Sequence, residues 1–535
     1  MRKSIAVSNP SFAELRSDEN CLYVDKTKYI YSLVNDRINY YYFISRPRRY
    51  GKSLMCSTLK ALFEGKRELF KGLYIDGTDY SFEKYPVLHF NFADISTATY
   101  EIFLKAFQRR IIDAAHNNGV EIEREEPSEM LYSLLYKFDR KVVIIVDEYD
   151  TPIIHTYTNI ELADRIRESL SAFYTVIKNT NEKVRFFFIT GITRFSNMSI
   201  FSQMNNLIDL TFNPDFAAAF GYTEEELETN FSPYIDDYMS RLDREYETRE
   251  DFLSAVRTYY DGYRFSQDSP LRVYNPVSIG FFFNQRCGFK PYWMDTGAST
   301  LAVDLARDYH LGRIVTEDYI LGTDTISSFD YRNLATHSLD DSQVIALLFF
   351  TGYLTIKDGD AFALTLTFPN MEVRTAFTKS LIRQYAGGAD ISNDITMARN
   401  ALNDRDIPAL VRAMNAFYEK IPSSVLSKEI GYQGMFYAFF LLFGVESITA
   451  EEATTLGRID VTITLPEDVY VIEIKVNHSV KKALEQIRNK RYYAKYINTD
   501  KRIHIVGLNF TSRSRKISSY REEIIDKTKE PTFLG

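Results

Sequence analysis

Cysteine is scarce in this chain. Its three cysteines, Cys21, Cys56 and Cys287, lie too far apart for a zinc motif and are too few for a disulfide framework in 535 residues. A reducing compartment, the cytoplasm, is the expected setting. Long apolar runs are missing too. The opening MRKSIAVSNPSF lacks the apolar core of a signal peptide, and MFYAFFLLFGV is too short to span a bilayer, so no membrane partner is expected. Nor is there an excess of basic charge. Lys and Arg number 64 against 72 Asp and Glu, a formal charge of −8, which excludes a broadly basic surface and confines any nucleic-acid contact to local patches.

What remains is the balance of a folded protein, 45% hydrophobic and 25% charged. The length exceeds what one core serves, and three or four domains are expected. Aromatic residues reach 15%, but they are scattered through apolar segments without a repeat and read first as core filler.

From Ile38, INYYYFISRPRRYGKSLMCSTLKALFEG reads as a strand, a turn and a helix whose apolar residues recur at helical spacing until Gly65. KVVIIVDEYDTPI is a second apolar run and ends in Asp147 and Glu148. VRFFFITGITRF is a third and ends in Thr190, Thr193 and Arg194. Continuous apolar strands joined by helical crossovers, such as ELADRIRESLSAFYTVIKN, predict a parallel sheet covered on both faces, over residues 1–214. Residues 215–330 form a helical lid and linker region, in which 221–265 have helical periodicity with acids in the first turn. Residues 331–420 read as winged-helix-like with a helical connector, because DSQVIALLFFTGYL precedes YLTIKDGDAFALTLTFPN, where Asp358-Gly359 is a hairpin signal. Residues 421–535 open with the helix GYQGMFYAFFLLFGV. There follow a strand, a strand with Asp460, a strand with Glu473 and Lys475, the helix KKALEQIRNKRYYAKY and the strand RIHIVGLNF. The fold class is a multidomain α/β protein.

The first turn has the chemistry of a phosphate loop. Backbone N–H groups wrap phosphate oxygens there, a lysine meets the terminal phosphates and a hydroxyl binds Mg²⁺. Gly51, Lys52 and Ser53 match the end of that pattern, while Arg46 stands where its first glycine belongs. In this reading Asp147 orders Mg²⁺, Glu148 polarises the attacking water, and Thr190 or Thr193 senses the γ-phosphate. The alternative is a buried strand capped by surface acids. Arg194 could act in trans as an arginine finger, a role that accelerates hydrolysis by roughly 10³-fold or more, or it is a local structural charge.

YVDKT at Tyr23 to Thr27, SRPRRYGKSL at Ser45 to Leu54, VDEYDTPI at Val146 to Ile153 and TGITRFS from Thr190 resemble the AAA-ATPase-like family found mainly in bacteria. Its members carry an Arg-Pro-Arg-Arg phosphate loop, so Arg46 follows the family's own pattern. YYDGYRF, YNP at Tyr274 to Pro276, GYLT at Gly352 to Thr355 and PNMEVR at Pro369 to Arg374 extend the likeness through the middle. The resemblance implies ATP as cofactor, with Arg49, Gly51, Lys52, Ser53, Asp147 and Thr193 as its binding residues, Ser53 and Asp147 at the metal, and Glu148 catalytic.

Phosphodiester hydrolysis needs acidic oxygens to hold Mg²⁺ or Mn²⁺ against a phosphate and a cation to stabilise developing charge. Asp460 followed by Glu473-Ile474-Lys475 supplies that set, and the element order around it resembles the PD-(D/E)XK nuclease superfamily. The resemblance implies that Asp460 and Glu473 bind metal, that the Ile474 carbonyl adds a ligand and that Lys475 is catalytic. Alone, the motif is weak, since a Glu-Lys pair on an exposed strand face is common. Glu451 would complete the acidic cluster or face solvent, and Gln486 stands where some branches place a helper. Lys481, Lys482, Arg488, Lys490, Arg491 and Lys495 among Tyr492, Tyr493 and Tyr496 suit a nucleic-acid backbone with stacked bases, or else a solvated face with tyrosines packed inward.

The expectation is an ATP-binding and ATP-hydrolysing switch or motor, an N-terminal P-loop ATPase joined through the middle to a metal-dependent nuclease. DNA rather than RNA is the expected partner, with homo-oligomers possible in principle. The rival is a nucleotide-regulated switch whose inactive nuclease-like domain only grips nucleic acid.

Overall fold

The computed structural model describes residues 2–7, 9, 11–36, 38–194, 206–295, 318–327, 341–422, 429–443, 448–454 and 457–529. The side chains of 295, 327, 341, 429–431, 433, 448–454, 457–460 and 529 are outside that description. The chain divides into two compact units, 1–299 with 319–373, and 300–318 with 374–535.

In the first unit a five-stranded parallel sheet has the order β2-β3-β4-β1-β5, built from β1 (Tyr41–Ser45), β2 (Val87–Asn91), β3 (Val142–Asp147), β4 (Val184–Gly191) and β5 (Ile208–Asp209). Strands buried on both faces read as unbroken apolar runs, and every residue of β1 and β3 is buried. Helix α1 (Lys52–Phe63) leaves β1 through the loop 46–51. Gly51 at its N-cap has φ 90°, which a glycine adopts without Cβ strain. Helix α2 (Tyr100–His116) connects towards β3 with a short helix at Pro127–Tyr136, and α3 (Ile160–Asn179) is the expected crossover from β3 to β4. Strands β2 and β5 were not among the sequence expectations. The first carries a histidine inside an apolar run, and the second is only two residues long.

Beyond the sheet, α4 (Glu224–Met239) starts with a capping box in which Thr223 and Glu226 satisfy each other's backbone N–H groups. It packs with α5 (Arg249–Tyr260) and α6 (Pro276–Asn284) around Phe231, Phe252, Tyr260 and Phe282. A three-stranded antiparallel sheet follows, ordered β6-β8-β7, from β6 (Tyr319–Gly322), β7 (Thr355–Gly359) and β8 (Ala363–Thr367). Helix α7 (Asp341–Thr351) precedes the hairpin. Asp358 and Gly359 are the end of β7 rather than the turn itself. The chain reverses at 360–362, because the Asp360 carboxylate accepts the N–H groups of Phe362 at 2.8 Å and Ala363 at 3.0 Å.

The second unit holds α8 (Ser392–Asn403), α9 (Ile407–Glu419) and α10 (Glu429–Leu441), then a mixed sheet ordered β13-β12-β11-β10-β9. Its strands are β9 (Ile448–Thr454), β10 (Gly457–Thr464), β11 (Asp468–Val476), β12 (Arg502–Thr511) and β13 (Lys516–Ile524). Only β11 and β12 pair in parallel, and α11 (Val480–Asn489) makes their crossover. Val469, Val471, Leu484, Ile487, Ile503 and Ile505 fill the space beneath it. Strand β13 was missed because it is a polar edge, exposed along most of its length.

Candidate functional site

Three features of the first unit meet at the C-terminal ends of its strands, where ligands bind in open α/β sheets. Loop 46–51 follows β1, Asp147 ends β3 and Glu148 follows it, and β4 ends at Gly191. Arg49, Gly51, Lys52, Ser53 and Glu148 line one cavity of about 490 Å³, together with Arg48 and His155. Its other walls come from Val7, Tyr23, Phe220, Tyr222 and Val277, so one end is cationic and the other is apolar and aromatic. Pockets of this size and mixed lining hold small organic ligands. The wall residues carry no motif beyond the quoted YVDKT and YNP. Lys26 links two of the walls, its ammonium 2.6 Å from Glu226 on α4 and 2.8 Å from the Ala218 carbonyl.

Lys52 is 5% exposed, and its Nζ donates to the carbonyls of Arg46 and Pro47, each at 2.9 Å. Burial pulls its pKa down, while Glu148, Asp147 and Asp150 pull it back up. Asp147 is fully buried, and neither carboxylate oxygen has a hydrogen-bond partner. Desolvation raises it to about 6, and the Ser53 hydroxyl and the Lys52 ammonium nearby oppose that rise. An orphaned buried carboxylate beside a hydroxyl is costly unless a cation joins it. Glu148 sits at φ 53° and accepts from the Thr151 hydroxyl at 3.1 Å, so its direction is held by the turn that follows β3.

Arg46 has a structural task of its own in the loop. The guanidinium is 1% exposed and points away from the cavity. Its Nη1 donates to the carbonyls of Ser45 and Thr211, both at 2.8 Å, and its Nη2 to that of Phe216 at 3.1 Å. It lies over the Phe265 ring at 4.4 Å. The side chain therefore pins the loop to the segment after β5, a task a glycine cannot perform. The middle of the chain braces the same loop. The Trp293 indole donates to the Arg48 carbonyl at 3.4 Å, and Tyr50 packs against Tyr263 and Phe265. Gly352 at φ +90° lies so near Pro47 that a Cβ would fall 2.7 Å from its ring. Buried Glu372 accepts from the Trp293 N–H and the Ser278 hydroxyl, both at 2.8 Å. The YYDGYRF, GYLT and PNMEVR segments thus all touch the loop or its supports.

Thr193 and Thr190 are engaged within the protein. The Thr193 hydroxyl and N–H each donate to Asp150 at 2.6 Å, and Thr190 donates to the Ile44 carbonyl at 2.8 Å. Asp150, fully buried, is a positioning group that sequence reasoning did not single out. Arg194 pairs with Asp209 at 2.7 Å, which fits the local structural charge.

In the second unit Glu473 is 1% exposed, and its Oε1 lies 2.7 Å from the Lys475 ammonium. The side chains of Asp460 and Glu451 lie outside the described residues, but their backbone register is clear. Val461 pairs with Ile472 and Ile459 with Glu452, so the row continues from Glu473 on β11 to Asp460 on β10 and Glu451 on β9. Gln486 on α11 donates to the Tyr492 hydroxyl at 3.4 Å. Tyr492 and Tyr493 are core residues, each 3% exposed, and are unavailable for stacking on bases. Lys481, Lys482, Arg488, Lys490 and Lys495 remain exposed and Arg491 half-buried; Lys481 pairs with Glu485 and Arg488 with Glu523.

Among the described residues no helix is long and apolar enough to cross a membrane. Residues 5–201 match the AAA-ATPase-like family, described as predicted AAA-ATPase, and residues 427–520 match the PD-(D/E)XK nuclease superfamily. A protein of Azotobacter chroococcum mcd 1, described as an uncharacterized protein in the vnfD 5' region, is 31% identical over 541 residues, spanning 97% of this chain and 98% of that protein.

Proposed function

Since the chain belongs to the AAA-ATPase-like family with a C-terminal PD-(D/E)XK nuclease domain, we propose that it binds and hydrolyses ATP and cleaves nucleic acid, DNA in preference to RNA, with the help of divalent metal. The observation that carries the nucleotide half is the buried, unpartnered Asp147 carboxylate behind a cavity lined by Lys52 and Ser53. These residues fit Mg²⁺, which Ser53 and Asp147 would hold. When bound, the ion supplies neutralisation of phosphate charge.

The remaining chemistry belongs to the chain. Lys52 exchanges the Arg46 and Pro47 carbonyls for phosphate oxygens, and the N–H groups at the start of α1 face the same anion. Glu148, fixed by Thr151, orients the attacking water and accepts its proton. Once Lys52 leaves the two loop carbonyls, the loop that Trp293 and Gly352 brace rearranges, and nucleotide state reaches the middle of the chain. In the second unit Asp460 and Glu473 would hold the metal that opposes phosphate charge. Lys475 stabilises the charge that develops on the scissile phosphate, and the exposed basic side of α11 takes up the nucleic-acid backbone.

This is a cytoplasmic activity in our reading. Purified protein incubated with Mg²⁺ or Mn²⁺ and labelled DNA or RNA, with and without ATP, tests both halves. ATP turnover abolished in Glu148→Gln and DNA cleavage abolished in Glu473→Ala are the expected results. Turnover unaffected by Glu148→Gln overturns the first half. DNA left intact by wild type under every condition overturns the second and favours a binding-only domain.

A further inference from the structure

Beneath the nucleotide cavity, Cys56, His89 and Asp147 meet in the layer between α1 and the sheet. Cys56 lies one turn beyond Ser53 on α1, His89 is on the edge strand β2, and Asp147 ends its neighbour β3. One potential ligand atom from each lies within 4.8 Å of the other two. The surroundings leave two of these groups unsatisfied. The His89 Nε2 and both Asp147 oxygens are buried without a hydrogen-bond partner, and Cys56 is fully buried. Buried polar atoms normally find a partner, and an unpartnered imidazole nitrogen and carboxylate on residues that cluster with a buried thiol point to a bound ion. His89 is the one half-buried member of the three and stands on an edge strand.

We propose that Cys56, His89 and Asp147 form a site for a zinc-class divalent ion, distinct from the Mg²⁺ expected with nucleotide. A thiolate, an imidazole and a carboxylate are the donors of zinc and related transition metals, and three protein ligands leave a fourth position open. Mg²⁺ prefers six oxygens and has no use for sulfur. On binding, the Cys56 thiol loses its proton to solvent and coordinates as thiolate, while His89 coordinates through a neutral ring nitrogen. Burial already holds His89 neutral, down to about 4, but it also pushes the Cys56 thiol well up, so the ion has to displace that proton. Asp147 belongs to both sites. On the nucleotide reading above, an ion held by Cys56 and His89 withdraws Asp147 from Mg²⁺ and arrests ATP turnover, a brake set by metal supply.

Co²⁺ is the probe, because thiolate ligation to it gives a charge-transfer band in the near ultraviolet. Chelator-stripped full-length protein is titrated with Co²⁺ in the absence of nucleotide. The band should rise to a plateau corresponding to one thiolate-bound ion per chain, be lost in Cys56→Ser and in His89→Gln, and bleach when Zn²⁺ is added. The double variant Cys21→Ser, Cys287→Ser retains only Cys56 and should keep the band. Absence of the band in wild type, its persistence in Cys56→Ser or its loss in the double variant overturns the site. The spectrum needs no nucleotide, so its failure is separate from any failure of the ATP reading. Zn²⁺ that bleaches the band should also stop ATP turnover in wild type but not in Cys56→Ser. Unchanged turnover in wild type with the band fully bleached overturns the brake.

Discussion

Arg46→Gly restores the usual first glycine of a phosphate loop, and the structure says that this correction is harmful. Arg46 makes three charge-assisted hydrogen bonds to buried carbonyls, at 2.8, 2.8 and 3.1 Å. Each contributes roughly 1.5 to 3 kcal/mol, together about 7, and the desolvated stack on Phe265 adds about 2 kcal/mol. Burial of the cation opposes part of this and lowers its pKa to about 9. The net loss on substitution is about 4 kcal/mol, which in a unit of this size lowers Tm by roughly 5 °C. Thermal melting of metal-free and nucleotide-free protein measures it, with ATP affinity read in parallel. Affinity should fall with stability, because the loop comes loose from the segment after β5. Arg46→Lys should recover little, since an ammonium cannot reproduce the fork that reaches three carbonyls. An Arg46→Gly protein that melts within about 2 °C of wild type, less than half the expected shift, and binds ATP more tightly would refute the reasoning.

Asp147→Asn should stabilise metal-free protein at pH 8. The folded carboxyl is raised from 3.8 to about 6, so the native state binds the proton more tightly than the unfolded one and loses stability as pH rises from about 4 through 6. The gain in the variant is about 3 kcal/mol above pH 6 and vanishes towards pH 4; a melting difference that does not change with pH contradicts it. In the second unit, Lys475→Ala should lower DNA cleavage by about 10²-fold or more while metal binding persists. Glu473→Ala and Asp460→Ala should abolish cleavage, and ATP turnover should persist in all three; cleavage by Asp460→Ala at the wild-type rate would remove it from the metal site. Nucleotide should change the pattern of limited proteolysis through the braced loop, and identical digests with and without ATP would count against coupling.

The parallel sheet was legible because strands buried on both faces leave apolar runs such as VVIIVD, and the acids that end them fall where a phosphate site needs them. The order from α10 to β12 in the second unit was legible for the same reason, down to the strands that carry Asp460 and Glu473, whereas the polar edge β13 was not. The roles of Arg46 and Asp150 were not. Arg46 bonds to carbonyls at Thr211 and Phe216, remote in sequence, and a backbone carbonyl leaves no mark on residue identity. Asp150 sits in the same acidic cluster as Asp147 and Glu148, and only the packing of β4 shows that it holds Thr193. The basic stretch around α11 left two readings open, and for Tyr492 and Tyr493 the inward-packed one holds. Tyrosines interleaved with lysines look like a stacking surface, whereas Tyr492 and Tyr493 complete the hydrophobic layer under β11 and β12. Cys56 and His89 share no spacing motif, since one is on a helix and the other on a strand that sequence patterning overlooked.

The central claim is that the arginine-bearing loop is a nucleotide site in which Lys52 gives up two loop carbonyls for phosphate. Calorimetric titration of ATP with Mg²⁺ into wild type and Lys52→Ala tests it most directly. Saturable one-to-one binding in wild type, weakened by about 10²-fold or more in the variant, as expected when a buried charge partner of phosphate is removed, is the predicted result. Equal affinity in the two proteins would contradict it.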